Sequence, residues 1–213
     1  MSARLTALVA LLTIAAGGCA TASPAAAPSA CARSGPANSA DEVCPLLPGM
    51  DVPDVNVAAI DGTVVNVKAL SQAPTVFIFY RGGWCPFCNV QMGQLQAIEG
   101  ELKALGYQVV AMSPDDAAGL RASVAKHTLS YTLLSDTGLS AASRFGVAFA
   151  VDAPMSLALR AMAPQHDALP VPAVFVVRDG VVQFSYVNPN FKVRLSPELL
   201  LAAAKAAVPA PAP

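Results

Sequence analysis

The residues with the clearest chemical potential are Cys85 and Cys88, two of five cysteines, in the string FYRGGWCPFCN at 79–89. An apolar run at 76–80 precedes them and a helical pattern follows, so the pair lies where a strand ends and a helix begins. The positive end of a helix dipole favours a thiolate at that position. Two vicinal thiols can also close a small disulfide ring. We therefore predict redox chemistry at this pair.

Two other roles for the pair were weighed. A structural zinc site usually needs a second pair of ligands at similar spacing, and Cys31 and Cys44 lie too far apart to form one. A purely structural disulfide is disfavoured because a four-residue loop removes little chain entropy. Short rings at helix starts are typical of disulfides that form and break during function. We accordingly predict no metal site.

The first 19 residues have the pattern of an export signal. Arg4 is their only charge, the apolar run at 5–16 is too short for a permanent membrane helix, and small residues lead into Cys19. The string AAGGC resembles the lipobox of bacterial lipoproteins, which predicts lipidation of Cys19. The alternative is ordinary signal cleavage near 20–23. Either outcome predicts a periplasmic or cell-envelope protein, anchored by lipid in the first case.

Composition divides the rest of the chain. Residues 20–48 are rich in Ala, Pro and Ser and predict a flexible tether, 49–208 predict one globular domain, and 209–213 a disordered tail. A net charge of −1 gives no electrostatic case for nucleic acid. Membrane contact is expected only through the lipid anchor.

Cys31 and Cys44 flank the end of the predicted tether. In an oxidising compartment we expect them to form a structural disulfide, because they are close in sequence and find each other locally. The alternative is that Cys44 acts as a distant resolving thiol for the active pair.

The order of predicted elements defines the fold class. Cys85 occupies a helix N-cap and Pro86 the first helical position. Strands are predicted at 75–80, 107–113 and 131–134, and hairpins at 55–67 and 173–186. Helices are predicted after Cys85, from the Asp115–Asp116 pair to about 126, at 137–145 and from Ser196. This α/β pattern predicts a central mixed sheet flanked by helices, with an N-terminal hairpin extension.

That order, combined with WCPFC, resembles the thioredoxin fold. The strings FYRGGWCPFCN, VVAMSPD at 109–115 and LPVPAVFVVRDG at 169–180 are together similar to the peroxiredoxin-like branch of the alkyl hydroperoxide reductase and thiol-specific antioxidant (AhpC/TSA) family. The resemblance covers about 49–204, most of the predicted domain.

The resemblance to thioredoxin-type enzymes implies residue roles. It makes Cys85 the exposed nucleophile and Cys88 the resolving thiol, and it implies a cis bond before Pro172, opposite the pair. Trp84 is expected to cover one side of the pair and form part of an apolar docking surface, or else to be a simple core aromatic. Pro86 is expected to influence the redox potential, because it removes a backbone donor between the thiols.

The peroxiredoxin motif implies a different assignment. It places Arg81 at the motif's proline position, Cys85 at its threonine and Cys88 at its peroxidatic cysteine. The late-strand arginine of that family is replaced here by Val171 and Pro172. Four arginines were considered as substitutes for it: Arg81, Arg144, Arg160 and Arg194. Physical chemistry favours Cys85 as the attacking thiolate, since Cys88 lies one turn into the helix and is expected to be more buried.

Three functions follow from these observations. The preferred one is a cell-envelope thiol–disulfide oxidoreductase, without cofactor, that exchanges disulfides with protein thiols or a thioredoxin-type reductant. The alternative is a thiol peroxidase that reduces hydrogen peroxide or organic hydroperoxides. A copper carrier is the third, with His166 or His127 as the available histidines. The sequence leaves open the substrate, the electron donor, the direction of electron flow and the oligomeric state.

Overall fold

The computed structural model describes residues 35–152, Leu159 and 166–208. The described residues do not include the predicted export signal with Cys19, the tether up to residue 34 with Cys31, Arg160, or the tail at 209–213. None of the described helices is long and apolar enough to cross a membrane.

Seven strands form a central mixed sheet in the order β2-β1-β5-β4-β3-β8-β9, and two more form a separate antiparallel pair. The strands are β1 (Asn56–Ala59), β2 (Val64–Asn66), β3 (Thr75–Phe79), β4 (Gln108–Ser113), β5 (Thr132–Ser135), β6 (Ala148–Ala150), β7 (Ala168–Pro170), β8 (Ala173–Arg178) and β9 (Val181–Val187). Strands β3, β4 and β5 run parallel, and the outer strands pair antiparallel with them or with each other. The predicted mixed sheet and its N-terminal hairpin are confirmed.

Five α-helices connect the strands within the described ranges. They are α1 (Val67–Leu70), α2 (Pro86–Ala104), α3 (Ala117–His127), α4 (Ser140–Arg144) and α5 (Pro197–Ala206). Side chains cap α3 and α5, because Asp116 accepts a hydrogen bond from Gly119 N–H and Ser196 accepts one from Leu199 N–H. Both helix starts lie where the sequence predicted them.

The two faces of the sheet bury separate apolar clusters. Alternate residues of each buried strand point to opposite faces, so Val109 and Ala111 of β4 join one cluster and Val110 and Met112 the other. Helices α2, α3 and α5 cover the first cluster, which contains both active-site cysteines. Helix α4 covers the second, which is rich in phenylalanine.

The end of the predicted tether packs on the domain, which differs from the expectation of a flexible chain up to residue 48. Ala37 is buried and exchanges backbone hydrogen bonds with β6, from its N–H to Ala148 O and from Ala150 N–H to its carbonyl, each 2.8 Å long. Leu46 N–H donates to Phe145 O at 3.1 Å. Composition does not reveal this, because part of the attachment is made by backbone hydrogen bonds, which any small residue can make.

Two features of the fold had no clear sequence signal. The β6–β7 pair has three residues in each strand, and α1 is a single turn that directly follows β2. Elements this short carry too few residues to show a period. The longer predicted elements agree with the structure to within one to three residues at their ends.

Candidate active site

The cysteine pair lies at the carboxyl end of β3, where the chain enters α2. Gly82 has a φ of 138°, a value that favours glycine, and turns the chain out of the strand. Cys85 is the N-cap of α2 and Pro86 its first residue, as predicted, while Cys88 lies inside the first turn. Both thiols therefore sit at the positive end of a 19-residue helix.

Asp115 holds the loop before the pair in place. Its carboxylate accepts a 2.8 Å hydrogen bond from Gly83 N–H and a 3.2 Å bond from Ser113 Oγ. Burial raises the pKa of Asp115, and the Gly83 N–H opposes that rise. The fit is tight, since a Cβ added to Gly83 would lie 2.2 Å from Ser123 Oγ. A larger residue at Gly83 would therefore require the Ser123 hydroxyl to move.

Cys85 and Cys88 are free thiols, 1% and 0% exposed, and they differ sharply in acidity. A hydrogen bond from the Cys88 thiol lowers the pKa of Cys85 to about 6, against the effect of burial. The Cys88 N–H and the guanidinium groups of Arg81 and Arg194 lower it further. The N–H acts through its dipole, because it makes no capping hydrogen bond of good geometry. The hydrogen bond with Cys85, followed by burial, raises the pKa of Cys88.

Two arginines face the sulfur atoms. Arg81 is buried, and its guanidinium carbon lies 5.1 Å from the Trp84 ring centroid and 4.2 Å from that of Phe191. Arg194 Nη2 donates to Cys88 Sγ at 3.4 Å. Arg144 instead ends α4 on the opposite face of the sheet. Of the three candidate arginines within the described residues, Arg81 and Arg194 lie beside the pair.

Residues 188–195, between β9 and α5, form a covering segment over the thiols. Phe191 packs edge-on against Phe87, with ring centroids 5.8 Å apart. Arg194 donates through Nη1 to the carbonyls of Phe191 and Val193, the latter at 2.9 Å. Phe87 is 37% exposed at the rim. The segment thus explains how a pair at a helix start is so completely buried.

A cleft of about 430 Å³ opens beside the covering segment, between the start of α2 and the start of α5. Its walls include Phe87, Val90, Arg194, Leu195 and Pro197. Arg194 lines the cleft and also contacts Cys88, so this one side chain connects the cleft with the thiol pair.

Pro172 departs from its predicted geometry. The Val171–Pro172 bond is trans, so the predicted cis bond is wrong. Pro172 lies directly before β8, a position where its missing N–H breaks no ladder hydrogen bond, and its carbonyl accepts from Asn188 N–H at 3.4 Å. Val171 belongs to the cluster against which Trp84 packs. Trp84 is half-buried between two clusters, so it combines a core role with partial exposure.

The two histidines occupy different places in the fold. His166 is buried within the field of Asp115 and Asp116, and burial lowers its pKa. His127 ends α3, where its Nε2 lies 3.0 Å from Asn89 Oδ1. Among the described residues, no three His, Cys, Asp or Glu side chains are grouped so that they could hold a metal ion. The geometry therefore gives no support to the copper-carrier alternative.

Cys44 is disulfide-bonded, whereas Cys85 and Cys88 are free. In this state Cys44 has no thiol with which to resolve the active pair. Its carbonyl packs against Gly146 so closely that a Cβ there would lie 1.8 Å from it. The predicted partner Cys31 lies outside the described residues, so that pairing stays a prediction.

The sequence gives no sign of two contributors to the site and leaves a third unranked. Asp115 appears only in a helix start and in the string VVAMSPD, and Phe191 has no sequence signal. Arg194 was one of four arginines that could not be ranked. These residues meet the cysteines through tertiary contacts, since Arg194, for example, is 106 residues from Cys88 along the chain. No local pattern reports a contact over that separation.

This arrangement, vicinal thiols at a helix N-terminus on a mixed sheet, is that of thioredoxin-fold thiol proteins. The AhpC/TSA family matches residues 48–185, well over half of the chain, and the chain belongs to this family. The resemblance noted in the sequence is confirmed.

Individual relatives agree with this family. Chloroplastic peroxiredoxin Q of Triticum aestivum is 30% identical over 137 residues, 64% of this chain and 57% of the relative. Peroxiredoxin Bcp of Escherichia coli (strain K12) is 32% identical over 103 residues, 48% of this chain and 66% of the relative. The chain thus spans less than two thirds of each relative's length.

Solved structures confirm the thioredoxin-like fold. Peroxidoxin BcpB from Mycobacterium tuberculosis has a TM-score of 0.61 at 21% identity, covering 75% of this chain and 97% of that chain. Reduced Prx3 from Vibrio vulnificus in complex with H₂O₂ has a TM-score of 0.63 at 17% identity, covering 75% and 96%. At these identities the likeness concerns the fold alone. The family and the sequence relatives, which are named peroxiredoxins, favour the peroxidase alternative over the preferred envelope oxidoreductase.

Proposed function

We propose that this protein is a thiol peroxidase of the peroxiredoxin type. The observation that carries the proposal is the Cys85 thiol, whose pKa is lowered to about 6 beside a second thiol and two arginines. Peroxide reduction needs a thiolate at neutral pH and a neighbouring thiol to resolve the product. Membership of the AhpC/TSA family and the peroxiredoxin relatives support the same chemistry.

The first step is attack by the Cys85 thiolate on a peroxide oxygen. An S–O bond forms and the O–O bond breaks, which gives a sulfenic acid on Cys85 and an alkoxide or hydroxide. The leaving oxygen takes a proton from the Cys88 thiol or from solvent, and the product is an alcohol or water. Cys85 is oxidised by two electrons and the peroxide is reduced by two.

In the second step, the Cys88 thiolate attacks the Cys85 sulfenic acid. The S–S bond forms, the S–O bond breaks and the hydroxide that leaves is protonated to water. A protein thiol or thioredoxin-type reductant then restores both thiols by disulfide exchange. On the strength of the predicted signal at 1–19 and Cys19, we propose that this cycle operates in the cell envelope.

Stopped-flow measurement of hydrogen peroxide consumption by the reduced domain tests the function. We expect fast consumption by the wild type and its loss in Cys85→Ser. Cys88→Ser should still consume one equivalent quickly, because Cys85 remains, and should then stop without turnover. Cumene hydroperoxide in the same assay tests organic substrates.

Two results would contradict parts of the proposal. Fast consumption that survives Cys85→Ser and disappears in Cys88→Ser would make Cys88 the attacking residue, as the peroxiredoxin motif implies. Rates no better than those of a free thiol in every variant would exclude peroxidase activity and return disulfide exchange as the working function.

A further inference from the structure

Arg194 contacts the second sulfur of the pair directly. Its Nη2 donates to Cys88 Sγ at 3.4 Å, within the range of a hydrogen bond to sulfur. Its Nη1 is held by the carbonyls of Phe191 and Val193, so the guanidinium is fixed before any reaction begins.

A thiolate at Cys88 would be stabilised by this donor. It is 0% exposed and lies within an apolar cluster, where a thiolate is poorly solvated. Resolution nevertheless requires Cys88 to attack as a thiolate once Cys85 is oxidised. The helix dipole helps less than at Cys85, because Cys88 lies inside the first turn and not at its cap.

We propose that Arg194 is the catalytic residue of the resolving step, which stabilises the Cys88 thiolate as it displaces the oxidised group from Cys85. In the peroxidase cycle the displaced group is hydroxide, and this part of the inference rests on the proposed function. With a mixed disulfide on Cys85, the displaced group is a thiolate and the same contact serves. In both cases one S–S bond forms within the pair.

Arg81 has a different position and so a different task. It is buried between the rings of Trp84 and Phe191, and its interactions include a hydrogen bond with Cys85. Arg81 therefore acts mainly on the first thiolate. Arg194 also favours the Cys85 thiolate through its charge, but its direct hydrogen bond is to Cys88 Sγ.

The test compares Arg194→Gln and Arg194→Lys with the wild type. A matched control is Arg121→Gln, since Arg121 is an exposed residue of α3 that also donates to a carbonyl, that of Ile60. Trp84 fluorescence in stopped flow is expected to separate a phase that depends on peroxide concentration from one that does not. The second phase reports resolution.

We expect Arg194→Gln to slow the concentration-independent phase about tenfold or more, the effect of losing one charge-assisted hydrogen bond. The pH at which this phase becomes fast should rise. Dimedone should trap more sulfenic acid on Cys85, and Arg194→Lys should recover part of the rate because it keeps the charge. Arg121→Gln should match the wild type.

A second reaction makes the inference independent of peroxidase activity. An aromatic disulfide such as Ellman's reagent is attacked by Cys85 and releases one aromatic thiolate, and attack by Cys88 then releases the second. Arg194→Gln should slow the second release selectively. An unchanged second release, or equal slowing of both, would overturn the role of Arg194. Selective slowing in a protein without peroxide reactivity would reject only the peroxidase function.

Discussion

At the scale of single residues, Cys85 and Cys88 have the same type of side chain, but the pKa of Cys85 is lowered and that of Cys88 is raised. The difference arises from position, because Cys85 receives a hydrogen bond from Cys88 and stands at the helix cap. Burial would raise the pKa of either thiol in isolation. One shared proton therefore resides on Cys88 and leaves the negative charge on Cys85.

The pH dependence of alkylation follows from this assignment. Iodoacetamide reacts with the thiolate, so the rate at Cys85 should rise as the pH increases through about 6 and level off above it. Below that pH the thiol is protonated and slow. Mass spectrometry of the reduced protein should locate the early adduct on Cys85.

A pair of variants at Cys88 separates the causes of the shift. Cys88→Ala removes the hydrogen-bond donor that is the largest cause, so the alkylation midpoint should move up towards that of an ordinary cysteine. Cys88→Ser keeps a donor and should move it less. A wild-type midpoint near 9 would contradict the assignment.

At the scale of elements, the site depends on how β3, β4 and α2 meet. Strands β3 and β4 pair in parallel, so their carboxyl ends lie side by side. Ser113 ends β4 and Asp115 follows it, which puts the carboxylate of Asp115 beside the loop that leaves β3. Asp115, which lies outside the string FYRGGWCPFCN, thus positions the backbone of that string at Gly83.

Replacing Asp115 should loosen this loop. Asp115→Ala leaves the Gly83 N–H without its acceptor in a partly buried site, which we expect to cost about 1 kcal/mol or more in the free energy of unfolding. Peroxide consumption should fall as well, because Cys85 is no longer held at its cap. Urea unfolding and stopped flow measure the two effects.

Asp115→Asn is the matched comparison for that experiment. The amide oxygen can still accept from Gly83 N–H while the charge is lost, so most of the stability should return. If Asp115→Ala and Asp115→Asn destabilise equally, the charge of Asp115 and not its hydrogen bond supports the loop.

Local pattern explains which of these elements could be predicted. The N-cap at Cys85, Pro86 at the first helical position and the start of α3 at Asp116 are encoded within a few residues. The covering segment over the thiols is not encoded locally, because Phe191 and Arg194 reach the pair only through tertiary packing. The Val171–Pro172 bond was mispredicted by analogy with another branch of the fold.

At the scale of the whole molecule, the sheet separates the apolar cluster that contains the reactive thiols from a second cluster that stabilises the fold. The cluster that holds both cysteines lies on the face of α2 and α5, and the phenylalanine-rich cluster lies on the other face. Burial on both faces was predictable for β3 from its continuous apolar run. The packing of residues 37–48 was not, since nothing in their composition distinguishes a docked segment from a free one.

Phe145 allows the two faces to be tested separately. It is fully buried, and its ring centroid lies 5.7, 4.9 and 5.1 Å from those of Phe77, Phe79 and Phe175. Phe145→Ala should lower the free energy of unfolding by about 3–5 kcal/mol, through lost burial and the cavity that remains. Urea denaturation of the reduced protein measures this change.

The same variant should leave the chemistry of the thiol pair nearly intact while the protein stays folded, because Phe145 belongs to the opposite cluster. Leu47→Ala is the control for stability, since Leu47 is 60% exposed and its truncation should change the free energy of unfolding by less than about 0.5 kcal/mol. A Phe145→Ala protein that stays folded in buffer but shows a shifted pH midpoint for Cys85 alkylation would reveal coupling across the sheet. An unchanged midpoint, with stability reduced as expected, would establish that the α4 face supports the fold without tuning the thiols.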